Sequence, residues 1–189
     1  MANANRDIAS ELKPGATIPQ PFSPPQWLEL GDALELEMRR QFNIPASVDT
    51  VAIGWTSVAG LTRRRFHGAS RIIRESANIP TPLPHILAPT DNAQFADHAE
   101  QDVVNAFIDA LAQVSRDRSA LDGEFLRIYI SHGDGPCAKC RQGLNNRQVY
   151  PGVLAAFSRR YRGLTVTVTW KNDRGALEFM SLLGGERLT

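Results

Sequence analysis

The pentapeptide KNDRG, residues 171–175, separates two β-rich segments, LTVTVTW at 164–170 and ALEFMSLL at 176–183. Val166, Val168 and Trp170 alternate with threonines, which is the period of a strand with one buried face. So short a connection has no room for a crossover helix, and the two segments must therefore pair antiparallel.

The rest of the chain supplies the other layers. In SPPQWLELGDALELEMRRQF, residues 23–42, Trp27, Leu30, Leu34 and Met38 recur at helical steps, and the prolines sit at the permitted first turn. This predicts an amphipathic helix ending near Phe42. The segments VDTVAIGWTSVAG and LTRRRFHGAS read as a β-hairpin turning near Ala59 and Gly60. ANIPTPLPHILAPTDNAQFAD, residues 77–97, carries four prolines and reads as a long irregular connection, of a length that compact domains keep when it has a function. HAEQDVVNAFIDALAQV follows, with a helical stripe of Val104, Phe107, Ile108 and Leu111. Beyond the polar turn SRDRSALDG come the strand FLRIYIS, a loop GDGPCAKCRQGL opening a helix, and the helical segment PGVLAAFSRRY. Helices alternating with strands in this order predict an α/β three-layer sandwich, with helices on both faces of one mixed sheet.

A chain of 189 residues fits one such domain. Residues 1–25 hold Pro14, Pro19, Pro21, Pro24 and Pro25 without a periodic apolar signal, and read as a flexible leader or linker to a domain at 26–189. No apolar run approaches the roughly 20 residues of a membrane span, and the N-terminus lacks the basic and apolar regions of a signal peptide. No membrane partner is expected.

The net charge of +1 hides a segmental bias: arginines outnumber lysines eighteen to three. Arg63, Arg64, Arg65, Arg71 and Arg74 form one cluster, and Lys139, Arg141, Arg147, Arg159, Arg160 and Arg162 form another that contains no acid. Such clusters suit phosphate contacts as well as they suit a plain solvated face.

Both cysteines lie in PCAKC, at 137 and 140. A zinc ribbon needs a second such pair, which the chain lacks, and a thioredoxin-like dithiol would follow the first strand of its unit, not the third. Histidine can complete a metal site, and among His67, His85, His98 and His132 only His98 opens a strong helix. At a helix mouth His98 need not have helical dihedrals, so it can turn toward the same point as Glu100, whereas two helical residues at that spacing diverge. Three ligands, His98, Cys137 and Cys140, leave a fourth tetrahedral position for water, the arrangement of a catalytic zinc. Glu100 beside that water suits proton transfer to a ring nitrogen and a departing amine. A closed structural zinc, with His67, His85 or His132 as fourth ligand, is the competing reading and leaves Glu100 without a role.

The residues HAE at 98–100 and PCAKC at 136–140 resemble the zinc deaminase signature H-x-E…P-C-x-x-C. The resemblance covers roughly residues 27–189 and implies a cytidine deaminase-like fold, with a five-stranded mixed sheet of order 2-1-3-4-5. The HAE form, the antiparallel last hairpin and VAIGWTSVAGLTRRRFHGAS are similar to deaminase domains of bacterial polymorphic toxins. By that resemblance Zn2+ is the cofactor, held by His98, Cys137 and Cys140, and Glu100 is the proton shuttle. The backbone N–H of Ala99 would meet the pyrimidine carbonyl, and the loop ending at Pro136 would receive the amino group. Trp55, His67, His132 and Arg141 are further candidates to line the pocket, against their plainer roles as core or surface residues.

The implied activity is hydrolytic cytosine deamination in a nucleic acid, with DNA favoured over RNA and single- or double-stranded substrate left open. The implied setting is a toxin domain of a secreted bacterial effector, delivered into a target-cell cytoplasm and countered by a cognate immunity protein. A cytoplasmic deaminase of free nucleosides or nucleotides, and a non-catalytic zinc-containing nucleic-acid-binding module, are the alternatives.

Overall fold

The computed structural model describes residues 24–47, 49–87, 98–114 and 121–188. In it the KNDRG connection does what its length demands. Strand β4 (Thr165–Lys171) pairs antiparallel with β5 (Leu177–Leu183), with Lys171 opposite Leu177. The turn closes through Asn172, whose N–H donates to the Ala176 carbonyl at 2.9 Å, and through Gly175 at φ +76°.

In chain order the remaining elements are α1 (Pro24–Gln41), β1 (Val51–Thr56), β2 (Phe66–Ala69), α2 (Arg71–Ala77), α3 (Ala99–Gln113), β3 (Phe125–Ile130), α4 (Ala138–Arg141), α5 (Val153–Arg160) and a final β6 (Glu186–Arg187). The sheet runs β2-β1-β3-β4-β5-β6, with β3 and β4 parallel and every other neighbouring pair antiparallel. It therefore has six strands and not the expected five. Gly184 and Gly185, both at positive φ, turn the chain back so that Glu186 pairs with Leu183. Such a two-residue strand has too little pattern to be read from sequence.

Strand periodicity sends alternate residues to two cores. On one face Leu30, Leu34 and Met38 of α1 pack against Val51, Ile53, Trp55, Phe125 and Tyr129. On the other, Val103, Val104 and Phe107 of α3 and Leu154 and Phe157 of α5 cover Ala52, Leu126, Ile128, Ile130, Val166 and Val168. Phe107 stands edge-on to both Phe66 and Phe157, with ring centroids 5.4 and 5.8 Å away. Arg127 is the charged exception in a central strand, and its guanidinium lies over the Trp27 and Phe125 rings. Helices on both faces make this an α/β three-layer arrangement around a mixed sheet.

Helix α2 was not foreseen. Its seven residues, RIIRESA, span under two full turns of apolar pattern, and it ends at Asn78 in the left-handed conformation. The expected leader lies outside the described residues through residue 23, and α1 begins at Pro24. Residues 88–97 of the proline-rich connection and 115–120 of the polar turn also lie outside them. Among the described residues no helix is long and apolar enough to cross a membrane.

Candidate metal and proton-transfer site

Strand β1 runs antiparallel to both β2 and β3, so the start of β1 and the ends of β2 and β3 share one edge of the sheet. The Ser70 N–H donates to the Thr50 carbonyl, and Ser131 Oγ accepts the Val51 N–H at 3.0 Å. Helix α3 is seated above that edge because Gly54 and Gly68 leave room for it. A Cβ on Gly68 would stand 2.0 Å from the Ala99 carbonyl oxygen. The mouth of α3 therefore lies directly on β2.

His98 is the N-cap of α3, with extended dihedrals of φ −92° and ψ 152°, and Glu100 is in the first turn. The non-helical cap separates His98 from the helical course, as its position suggested. The loop after β3 bends at Gly135, φ +68°, where a Cβ would strike the Trp170 ring at 2.5 Å. Asp134 N–H donates to His132 Nδ1 at 3.1 Å, and the bend delivers Cys137 as the N-cap of α4. Gly152 fits against the Lys139 and Cys140 carbonyls, which holds α5 beneath α4.

These two helix mouths converge. Cys137 Sγ lies 3.3 Å from His98 Nδ1 and accepts the Cys140 N–H at 3.4 Å. Donor atoms of His98, Cys137 and Cys140 all lie within 4.8 Å of one another. Around a tetrahedral zinc with ordinary Zn–N and Zn–S bonds, neighbouring donors stand about 3.5–3.8 Å apart. One nitrogen and two sulfurs at this spacing, on side chains already oriented inward, therefore fit such an ion.

The chemistry of the donors agrees with the geometry. Cys137 is held well below the ordinary thiol range, first by the hydrogen bond from the Cys140 thiol and further by His98 and the Cys140 N–H, against the opposing effect of burial. Cys140 is pushed up, first by that same hydrogen bond and then by burial and the Glu100 carboxylate. Sharing one proton is what two adjoining thiols do until a cation replaces it. Glu100, 4% exposed, has its carboxyl raised chiefly by burial. The His98 charge and the Cys140 thiol act against that rise, so the carboxyl feels the donor cluster electrostatically.

The chain matches no protein-family model, no curated protein and no solved structure. Its site rests on its own geometry.

A cleft of about 540 Å³ opens over the cluster. His98, Ala99, Glu100, His132, Pro136, Cys137 and Arg141 line it, so most of the residues expected from sequence meet in one place. Trp55 does not: it is 0% exposed, packed in the α1 core, because its register on β1 turns it to that face. His67 is also elsewhere, edge-on to Phe42. His85 contacts Asp109 at 2.7 Å, and among the described residues the donor cluster has three members.

Sequence reading missed the opposite wall, made by Asp49, Thr50, Ser70, Arg71 and Ile72. The hairpin prediction already brought Thr50 and Ser70 together, and following that register outward would have found them. The basic clusters need correction too. Arg74 is buried against Asp102 at 3.1 Å and is no surface residue. Arg159 bonds the Gly143 and Asn146 carbonyls, and Arg147 lies 3.9 Å from Glu186.

Proposed function

We propose that this chain is a zinc-dependent deaminase of the cytidine deaminase-like superfamily that hydrolyses cytosine to uracil in a polynucleotide, with DNA as substrate. The observation that carries the reading is the Glu100 carboxyl, buried in the first turn of α3 and lining the same cleft as His98 and Cys137 of a His–Cys–Cys cluster. A closed structural metal site leaves that carboxyl without a role in proton transfer.

His98, Cys137 and Cys140 would hold the ion, which when bound supplies Lewis-acid activation of a water molecule. The reaction adds water at the ring carbon bearing the amino group and expels ammonia. Glu100 takes the proton that the attacking water gives up, passes it to the ring nitrogen, and serves again as donor to the departing amine. Burial suits this role, since it raises the carboxyl toward the range where it can both accept and release a proton. Ala99 and Pro136 line the cleft with Glu100, where the Ala99 N–H would meet the pyrimidine carbonyl and the loop before Pro136 would receive the amino group.

The setting as a bacterial effector toxin, with an immunity protein as partner, rests on the likeness of the HAE segment and the hairpin to toxin deaminases. A deaminase of free nucleosides is the second reading. It is favoured by Asp49 and Asp134, which match Arg71 and Arg141 in charge on the cleft lining.

The test is incubation of zinc-loaded protein with single- and double-stranded DNA, RNA and free cytidine. The expected result is C-to-T change in DNA, abolished by Glu100→Ala. Deamination of cytidine alone would favour the nucleoside enzyme, and no deamination of any substrate would overturn the reading. Harm to bacteria from the wild type, relieved by Glu100→Ala, is the outcome expected of a toxin.

A further inference from the structure

Ile72 is 69% exposed on the lining of the cleft that holds Glu100. A large aliphatic side chain in water is commonplace when it stands alone on a surface. This one stands at a mouth that a substrate must pass, and its mounting is unusually firm. Its neighbour Ile73 is buried in the α1-side core, while Arg74 is ion-paired with Asp102 at 3.1 Å, with both side chains 3% exposed. On the other flank Ser70 Oγ donates to Asp49 Oδ2 at 2.6 Å. Asp102 belongs to the same first stretch of α3 as Glu100. Ile72 is thus held at a set position relative to the proposed proton shuttle.

Resting on the deaminase reading above, we propose that Ile72 is a wedge that enters a double helix and holds open the space left by the extruded cytosine. Two features point to a duplex and not to a single strand. Proteins that track single strands stack bases on Phe, Tyr or Trp, and none of these lines the cleft among the described residues. Aliphatic side chains serve instead as wedges between base steps, where they must be rigid and protrude. A cytosine within a duplex also has to leave the stack before its amino group can reach Glu100, and a residue that fills its place lowers that cost. Arg71, bonded to Glu75 at 2.8 Å, and Arg141 flank the mouth from α2 and α4, placed for the backbone on either side of the flipped nucleotide.

The experiment compares wild type, Ile72→Ala and Ile72→Leu, all zinc-loaded, on one target sequence presented as duplex and as single strand. Ile72→Ala should lose about ten- to a hundredfold in kcat/KM on the duplex and no more than about twofold on the single strand, since only the duplex must be unstacked. Ile72→Leu should stay near wild type. In a second measurement, Glu100→Ala protein should brighten a fluorescent purine analogue placed beside the target cytosine in a duplex. Adding Ile72→Ala to that protein should abolish the brightening. Equal losses on both substrates, or a wild type that takes single strands and leaves duplexes untouched, would overturn the wedge. A wild type that deaminates nothing overturns the deaminase reading instead, and the fluorescence then still decides the wedge by itself.

Discussion

Arg74 and Asp102 meet at 3.1 Å inside the protein, joining α2 to the helix that His98 caps. Asp102 also accepts the Ala69 N–H at 3.2 Å, so one carboxylate holds the end of β2, α2 and α3 together. Removing one partner strands a buried charge. Arg74→Ala or Asp102→Ala should each cost about 3–5 kcal/mol, whereas Arg74→Met combined with Asp102→Leu should cost much less. Urea unfolding of the three variants and the wild type measures this, and losses that simply add would show that the pair is not coupled.

Gly68 sets the height of α3 above the sheet. A Cβ there would approach the Ala99 carbonyl oxygen at 2.0 Å and Val103 at 2.9 Å, and the first of these is backbone that cannot rotate away. Gly68→Ala should therefore cost about 1–3 kcal/mol, as overpacking does, and should weaken zinc binding by shifting His98. Unfolding midpoints and zinc competition titrations would reveal both effects; a variant unchanged in both would mean that the helix mouth tolerates displacement.

Metal content separates ligand from shuttle. Cys137→Ala and Cys140→Ala should lose zinc after dialysis, while Glu100→Ala should retain it. Added zinc at a hundred times its dissociation constant should stabilise the wild type by about 2.7 kcal/mol and leave the cysteine variants unmoved. Metal analysis and thermal unfolding across zinc concentrations supply the readout. Full zinc retention by Cys140→Ala would remove that residue from the ligand set.

His67 gives the stability a pH dependence that can be isolated. Burial holds its imidazole below the usual 6.5, with the Glu37 charge opposing and the Arg65 charge adding to the effect. The unfolded chain therefore takes up this proton first on acidification. Stability should fall as pH drops below about 6.5 and be regained as pH rises through that window. His67→Leu should flatten the slope relative to wild type, as seen in denaturant midpoints between mildly acidic and neutral pH. An unchanged slope would assign the dependence to other groups.

Much of the fold was legible because its signals are local. The alternation of Val51, Ile53 and Trp55, the helical spacing of Leu30, Leu34 and Met38, and the short KNDRG turn each express a repeat that one element imposes on its own residues. The convergence of His98, Cys137 and Cys140 was legible for a related reason: a candidate metal cluster draws on few residue types, and the chain has few cysteines and histidines to offer. Helix α2 and β6 were not legible, being too short to show a period.

What depended on tertiary structure was which side chains face one another. Arg74 lies in a run of arginines and is indistinguishable there from Arg71, yet one is buried on Asp102 and the other lines a cleft. Ile72 and Ile73 are adjacent and identical, and only the docking of α2 decides that one joins the core while the other stands in water. Residue type and spacing determine the elements and the donors available. Burial, and with it each charge's partner and each ligand's neighbour, is a property of surfaces that meet only after distant segments pack, so no stretch of sequence carries it alone.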